Sequence, residues 1–158
     1  MYGSELGTEL LGKPAKALRL TPDEELEPLL ARPTLLVVGP GLGRTPWSEQ
    51  MLQQAIKSGL PLVLDADALN AIARDTGLQT LLKKRHARLR PTVLTPHPLE
   101  AARLLNSTVK DVQHNRLLAA QKLADSFECV VVLKGSGSIV ASPTQAPVIN
   151  GSGNARLA

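Results

Sequence analysis

Four short apolar runs recur along this chain, at residues 34–38, 61–64, 92–94 and 129–133. Each is too short for a helix and lacks the polar alternation of a strand that faces water on one side. Each therefore reads as a strand of a buried, mostly parallel sheet. Helical spacing fills the gaps between them. Thr21-Pro22-Asp23-Glu24 has the form of a capping box with proline at the first helical position, and predicts a helix ending near Ala31. Pro46 opens a second helix that Gly59 closes, with Trp47, Met51, Leu52, Ala55 and Ile56 on one face. A short helical pattern passes through Ala68, Leu69, Ile72 and Ala73, and another runs over residues 98–105. A longer one spans 112–127, with Leu117, Leu118, Ala120, Leu123 and Ala124 expected to face inward. After the fourth strand, Gly135-Ser136-Gly137 predicts a tight turn into a further apolar run at 138–141. Strands alternating with helices predict an α/β domain, a mostly parallel sheet with helices on both faces.

Composition narrows the function classes. The chain has 158 residues, one domain's worth, and 43% of them are hydrophobic, enough to bury a core. Trp47, Tyr2 and Phe127 are the only aromatics, which leaves almost no platform for stacking nucleic-acid bases. The net charge of +4 permits an anionic partner without identifying one. Lys83, Lys84, Arg85, His86, Arg88 and Arg90 form a basic cluster, read either as a solvated helix end and loop or as a phosphate patch. Cys129 is the single cysteine; among valines it reads as a buried strand residue, neither ligand nor nucleophile. The absence of an internal disulfide suits the cytoplasm, and residues 1–20 lack the order of a secretory signal.

In open α/β sheets ligands bind beyond the carboxyl ends of the strands, so the segments after each run carry the chemistry. The first is Gly39-Pro40-Gly41-Leu42-Gly43, either a loop that lets backbone amides approach a ligand or a plain tight turn. It is not a Walker A loop, because no Gly-Lys-Ser/Thr follows. The second is Asp65-Ala66-Asp67-Ala68-Leu69-Asn70, whose carboxylates suit a metal or a general base, or else a helix cap at Asp67 and a bond to a neighbouring loop. The third is Thr95-Pro96-His97-Pro98-Leu99-Glu100, where two prolines hold His97 stiffly, as a residue facing a ligand needs. His86 and His114 lack that setting and read as surface residues. The fourth is Lys134-Gly135-Ser136-Gly137-Ser138, a lysine-led turn able to hold a phosphate or nucleotide edge, or an ordinary hairpin turn. All four fall on one edge of the inferred sheet, which favours a cleft.

Taken together, these four motifs in this order, followed by Gly153-Asn154, resemble the carbohydrate-kinase-like domain of the ADP-dependent NAD(P)H-hydrate dehydratases, over residues 34–158. The resemblance implies a ribokinase-like three-layer α/β fold, incomplete here, with residues 1–158 forming a partial domain truncated at both ends. It implies a lyase of nicotinamide-cofactor repair. Such an enzyme uses ADP to dehydrate hydrated NADH and NADPH, with release of AMP and phosphate, because phosphorylating a ring hydroxyl turns a poor leaving group into a good one. By the same resemblance Gly41, Gly43 and His97 contact the hydrated dinucleotide. Lys134, Gly135, Ser136, Gly137 and Ser138 contact the adenine nucleotide, with Mg2+ as an accompanying ion but no protein metal ligand. Leu99 departs from the family's glycine. The family's catalytic aspartate follows a glycine-rich turn past Ala158, so no catalytic residue is assigned and the 158-residue chain alone is expected to be inactive. The family also implies a cytoplasmic homo-oligomer at full length, often fused to an epimerase domain. The rival readings are a small-molecule kinase of the same superfamily and a non-catalytic nucleotide-binding fragment.

Overall fold

The computed structural model describes residues 33–86 and 88–152. The capping box at Thr21 and its helix lie outside the described residues, as do Gly153 and Asn154. Six strands form one mixed sheet in sequential order: β1 (Leu36–Val38), β2 (Leu62–Leu64), β3 (Thr92–Leu94), β4 (Val130–Leu133), β5 (Ser138–Ser142) and β6 (Gln145–Asn150). The first four pair in parallel; β5 and β6 return antiparallel. The helices are α1 (Pro46–Lys57), α2 (Ala66–Arg74), α3 (Thr76–His86), α4 (Pro98–Leu104), α5 (Val109–His114) and α6 (Arg116–Phe127).

Parallel neighbours in sequence order, each joined by a crossover of the same hand, bring their helices to one face of the sheet. The strand register shows which residues that face carries. Val38, Leu64, Leu94, Val131 and Ala141 stand side by side across five strands and pack into one core with Leu52, Ile56, Leu69, Ile72, Leu82 and Leu123 of the helices. Burying each such leucine fully stabilises the fold by about 1.5–3 kcal/mol. The opposite face carries the row Val37, Val63, Val93 and Val130. There Val37 is 64% exposed and the other three are half-buried. The described helices thus form one of the two helical layers expected, and the valine face stays partly open.

Two local expectations change. The helix expected over 112–127 is two helices, because Asn115 leaves the helical conformation at φ −144° and ψ 79°, closing α5 and capping α6 through Leu118 N. Restarting there sets the inward face of α6 on Ala119, Ala120, Leu123, Ala124 and Phe127, while Leu117 and Leu118 turn outward. The basic cluster also divides. Lys83, Lys84, His86 and Arg88 are exposed, but Arg85 is 2% exposed and is a structural residue. Its guanidinium donates to Thr92 Oγ1 at 2.8 Å and to the carbonyls of Ile56 at 2.7 Å, Ser58 at 2.8 Å and Leu60 at 2.5 Å. Arg90 adds bonds to the carbonyls of Lys57 and Ser58. These carbonyls belong to the end of α1 and the loop after it; Ser58 serves the carbonyls of Gln54 and Ala55, and the two arginines serve those that follow. Burial and the neighbouring charge of Arg90 lower the pKa of Arg85.

Candidate functional site

The four strand-end segments do converge, and hydrogen bonds knit them into one rim. The glycine loop after β1 is held from below by α1. Thr45 caps that helix in a reciprocal box with Ser48, and Ser48, buried, also donates to Leu42 O at 2.6 Å. Pro46 marked the start of this helix in the sequence; the Thr45–Ser48 box and the serine's grip on the loop come from the fold. Gly39, Gly41 and Gly43 all sit at positive φ, where residues with a side chain are strained. At Gly39 a further reason applies. A Cβ there would lie 1.7 Å from Asp65 O, so only glycine lets the first loop cross the end of β2.

Asp65 and Asp67 take distinct places. Asp65 is the N-cap of α2, accepting from Ala66 N at 2.8 Å, and it also receives Lys134 Nζ at 2.7 Å. The capping role read for Asp67 therefore belongs to Asp65. Asp67 instead accepts from Gly43 N at 3.0 Å, joining the second loop to the first. Each carboxylate is thus already engaged, and Ala66 between them is forced to φ 47°. Among the described residues no group of three or more His, Cys, Asp or Glu side chains is placed to hold a metal ion. The pair Asp65 and Asp67 alone does not build a cage for Mg2+, which prefers near-octahedral oxygen and is commonly carried on phosphates.

His97 caps α4. Its Nδ1 accepts from Leu99 N at 3.1 Å, which places the ring proton on Nε2, and Nε2 faces Glu100 Oε1 at 3.3 Å. Glu100, 4% exposed, closes the box by accepting from His97 N at 2.8 Å. The imidazole is 45% exposed, so one edge of it opens to solvent at the rim. Leu99 is 43% exposed and lies outside the core. His86 and His114 are exposed, as expected. Asn70 and Arg103, paired at 2.5 Å, tie α2 to α4 beneath the rim; Asn70 closes the second motif in the sequence, Arg103 stood out in none, and only the fold brings them together.

The fourth segment joins β4 to β5. Lys134 N donates to Pro96 O at 2.9 Å, so this turn is locked to the histidine loop through the backbone and to the aspartate loop through its side chain. Gly135 and Gly137 both have positive φ. Arg116, at the first position of α6, donates to Ser136 O at 2.6 Å and lies 3.4 and 3.5 Å from the carbonyls of Leu133 and Lys134. Cys129 sits away from this rim, buried just before β4, and burial pushes its thiol up to about 12. Its burial accords with the sequence reading of a buried residue among valines. None of the described helices is long and apolar enough to cross a membrane.

The site therefore offers backbone amides on two glycine turns, one lysine and one half-exposed imidazole along a single sheet edge. Such a set suits an anionic nucleotide-like ligand. Residues 8–158 match the family profile described as NAD(P)H-hydrate dehydratase. The bifunctional NAD(P)H-hydrate repair enzyme of Coxiella burnetii is 37% identical over 135 residues, covering 85% of this chain and 26% of that protein. The ADP-dependent (S)-NAD(P)H-hydrate dehydratase of Neisseria meningitidis is 47% identical over 98 residues, 62% of this chain and 32% of that one. Among solved structures, the ADP/ATP-dependent NAD(P)H-hydrate dehydratase of Bacillus subtilis, co-crystallised with ATP and Mg2+, superposes with a TM-score of 0.59 at 31% identity, covering 77% of this chain and 40% of that one. A ribokinase-like superfamily protein of Enterococcus faecalis shares the fold at a TM-score of 0.59 and 22% identity. The chain spans about a quarter to a third of the length of these two curated relatives. With the profile matched over nearly its whole length and the motifs assembled on one rim, this chain belongs to the NAD(P)H-hydrate dehydratase family.

Proposed function

We propose that this chain carries substrate- and nucleotide-binding parts of an enzyme that uses ADP to dehydrate hydrated NADH or NADPH in the cytoplasm. Gly41, Gly43 and His97 face the hydrated dinucleotide in this reading, and Lys134 to Ser138 face the adenine nucleotide. The observation that carries it is the interlocked rim: Gly43 N to Asp67, Lys134 Nζ to Asp65, and Lys134 N to Pro96 O. Those three bonds hold the proposed dinucleotide loops against the proposed nucleotide turn, so that two ligands would meet at one edge. Proximity of that kind is the main service a protein renders to phosphoryl transfer. His97 meets its ligand through the open edge of the ring, with Nε2 polarised by Glu100. Magnesium would travel on the nucleotide's phosphates. No catalytic base is assigned: Asp65 and Asp67 are both engaged in holding the rim, and no step is routed through them.

The test is calorimetric titration of the chain with ADP and, separately, with hydrated NADH. Both are expected to bind. His97→Ala is expected to weaken hydrated NADH by about tenfold, roughly 1.4 kcal/mol of lost contact with the open edge of the ring, while ADP affinity holds. A chain that binds neither ligand, or one that binds ADP and phosphorylates a thiazole or pyrimidine alcohol in place of the hydrated cofactor, overturns the proposal.

A further inference from the structure

The turn after β4 depends on a residue outside every motif considered so far. Arg116 reaches it from the first position of α6, and it does so because α5 and α6 break at Asn115. A single unbroken helix over 112–127 would set the first turn of α6 on a different axis. With the break, the guanidinium lies under residues 133–136. Its Nη1 holds Ser136 O at 2.6 Å, and its Nη2 lies within 3.5 Å of the carbonyls of Leu133 and Lys134. The fit is close enough that a Cβ on Gly135 would come 2.6 Å from Nη2. Nε of the same residue is buried and donates to nothing among the described residues. The fork is therefore spent on the turn.

Peptide geometry then decides where the amides point. In a trans peptide the carbonyl and the following N–H lie antiparallel. Among the described residues no peptide is cis. A carbonyl of Lys134 turned towards Arg116 directs the N–H of Gly135 away from it, and the carbonyl of Ser136 does the same for Gly137. Among the described residues neither amide donates a hydrogen bond. Lys134 N, by contrast, is already bound to Pro96 O. Two free amides in a glycine turn, backed by a cation, form a concavity for an anion.

We propose that Arg116 is a positioning residue for nucleotide binding: by holding the carbonyls of residues 134 and 136 on its own side, it turns the Gly135 and Gly137 amides towards a phosphate-bearing ligand. This rests on the reading of residues 134–138 as the nucleotide turn. Arg116 itself does not touch the ligand. A lysine in its place keeps the charge but presents a single point, and cannot span carbonyls two residues apart as a planar fork does.

The experiment measures ADP affinity by calorimetry for the full chain, for Arg116→Ala and for Arg116→Lys, with hydrogen–deuterium exchange at residues 133–138 and a thermal melt beside each titration. Arg116→Ala is expected to weaken ADP by about tenfold or more and to speed exchange in the turn. Arg116→Lys should recover only part of the affinity, and low-millimolar guanidinium chloride should restore ADP binding to Arg116→Ala by refilling the vacated fork. Hydrated NADH affinity should stay within about twofold in both variants, which a general loss of folding would not allow. If the unaltered chain binds no ADP, the nucleotide reading of the turn falls, and the role of Arg116 with it. If the unaltered chain binds ADP but both variants bind it equally well, the nucleotide reading stands and the role of Arg116 is refuted. Should Arg116→Ala fail to fold, Arg116→Lys decides: full ADP affinity there refutes the proposal, and a several-fold loss supports it.

Discussion

Replacing Arg85 by alanine should be among the most damaging single changes in the described fold, although Arg85 belongs to a cluster that the sequence presents as a charged surface. The side chain is 2% exposed and makes four hydrogen bonds of 2.5–2.8 Å, three of them to carbonyls at the end of α1 and in the loop to β2. A bond from a charged donor contributes about 1.5–3 kcal/mol net, so four of them contribute roughly 6–12 kcal/mol. Taking a guanidinium out of water costs several kcal/mol, and part of the gross sum is cancelled. Each buried acceptor left without its donor costs about 1–3 kcal/mol, and after the guanidinium's own desolvation cost is recovered a loss of roughly 3–5 kcal/mol is expected for Arg85→Ala. The carbonyls of Ile56 and Leu60 would be left without their donor, and the loop that feeds β2 would lose its anchor. Since a domain of this size has about 5–15 kcal/mol in all, the variant should be marginal at room temperature. Urea unfolding followed by far-ultraviolet circular dichroism measures the loss directly. Arg85→Lys should cost less than alanine but more than 1 kcal/mol, on the order of one or two of the lost bonds. A loss below about 1 kcal/mol for Arg85→Ala would refute the reasoning, because it would mean the carbonyls find water and the network carries no net stability.

Two further outcomes follow from the same structure. Gly39→Ala places a Cβ 1.7 Å from Asp65 O at φ +135°, so β1 and β2 must part at the rim; a destabilisation of about 1–3 kcal/mol is expected, and an unchanged thermal midpoint would contradict the close approach. Cys129, its thiol pushed up to about 12 by burial, should resist alkylation by iodoacetamide at pH 8.5 in the folded chain and react once urea unfolds it. Because the folded pKa is raised, stability linked to this thiol is fully present below the unfolded value of about 8.5 and falls as pH rises from there towards 12. Stability that increases over that range in the native chain, but not in Cys129→Ala, would reverse the assignment.

The strands were legible because their signal is local. A run such as Leu62-Val63-Leu64 has no polar face to give water, and it is a strand of the sheet wherever it is placed. The same holds for the starts of α1 and α4, each marked by a proline at the first helical position, Pro46 and Pro98. The convergence of the four glycine, aspartate, histidine and lysine segments followed from topology, since successive parallel strands present their carboxyl ends to one edge. Which atoms meet there did not follow. Asp65 and Asp67 look equivalent in sequence, yet one caps a helix and holds Lys134, while the other binds the amide of Gly43. Lys134 lies 69 residues from Asp65, and Arg85 lies 25–29 residues from the carbonyls it holds. No local pattern encodes such distances. The break at Asn115 was hidden for a related reason: the apolar spacing on either side continues, and only packing of α5 against α4 and α6 against β5 selects two axes over one. Sequence alone thus determined the four parallel strands, most of the helices between them and the edge on which their loops gather, because propensity, capping and periodicity act over a few residues. Tertiary structure alone decided which buried cation is structural, which carboxylate is spent and which arginine stands behind the lysine turn, because those choices depend on partners that meet only after the chain has folded.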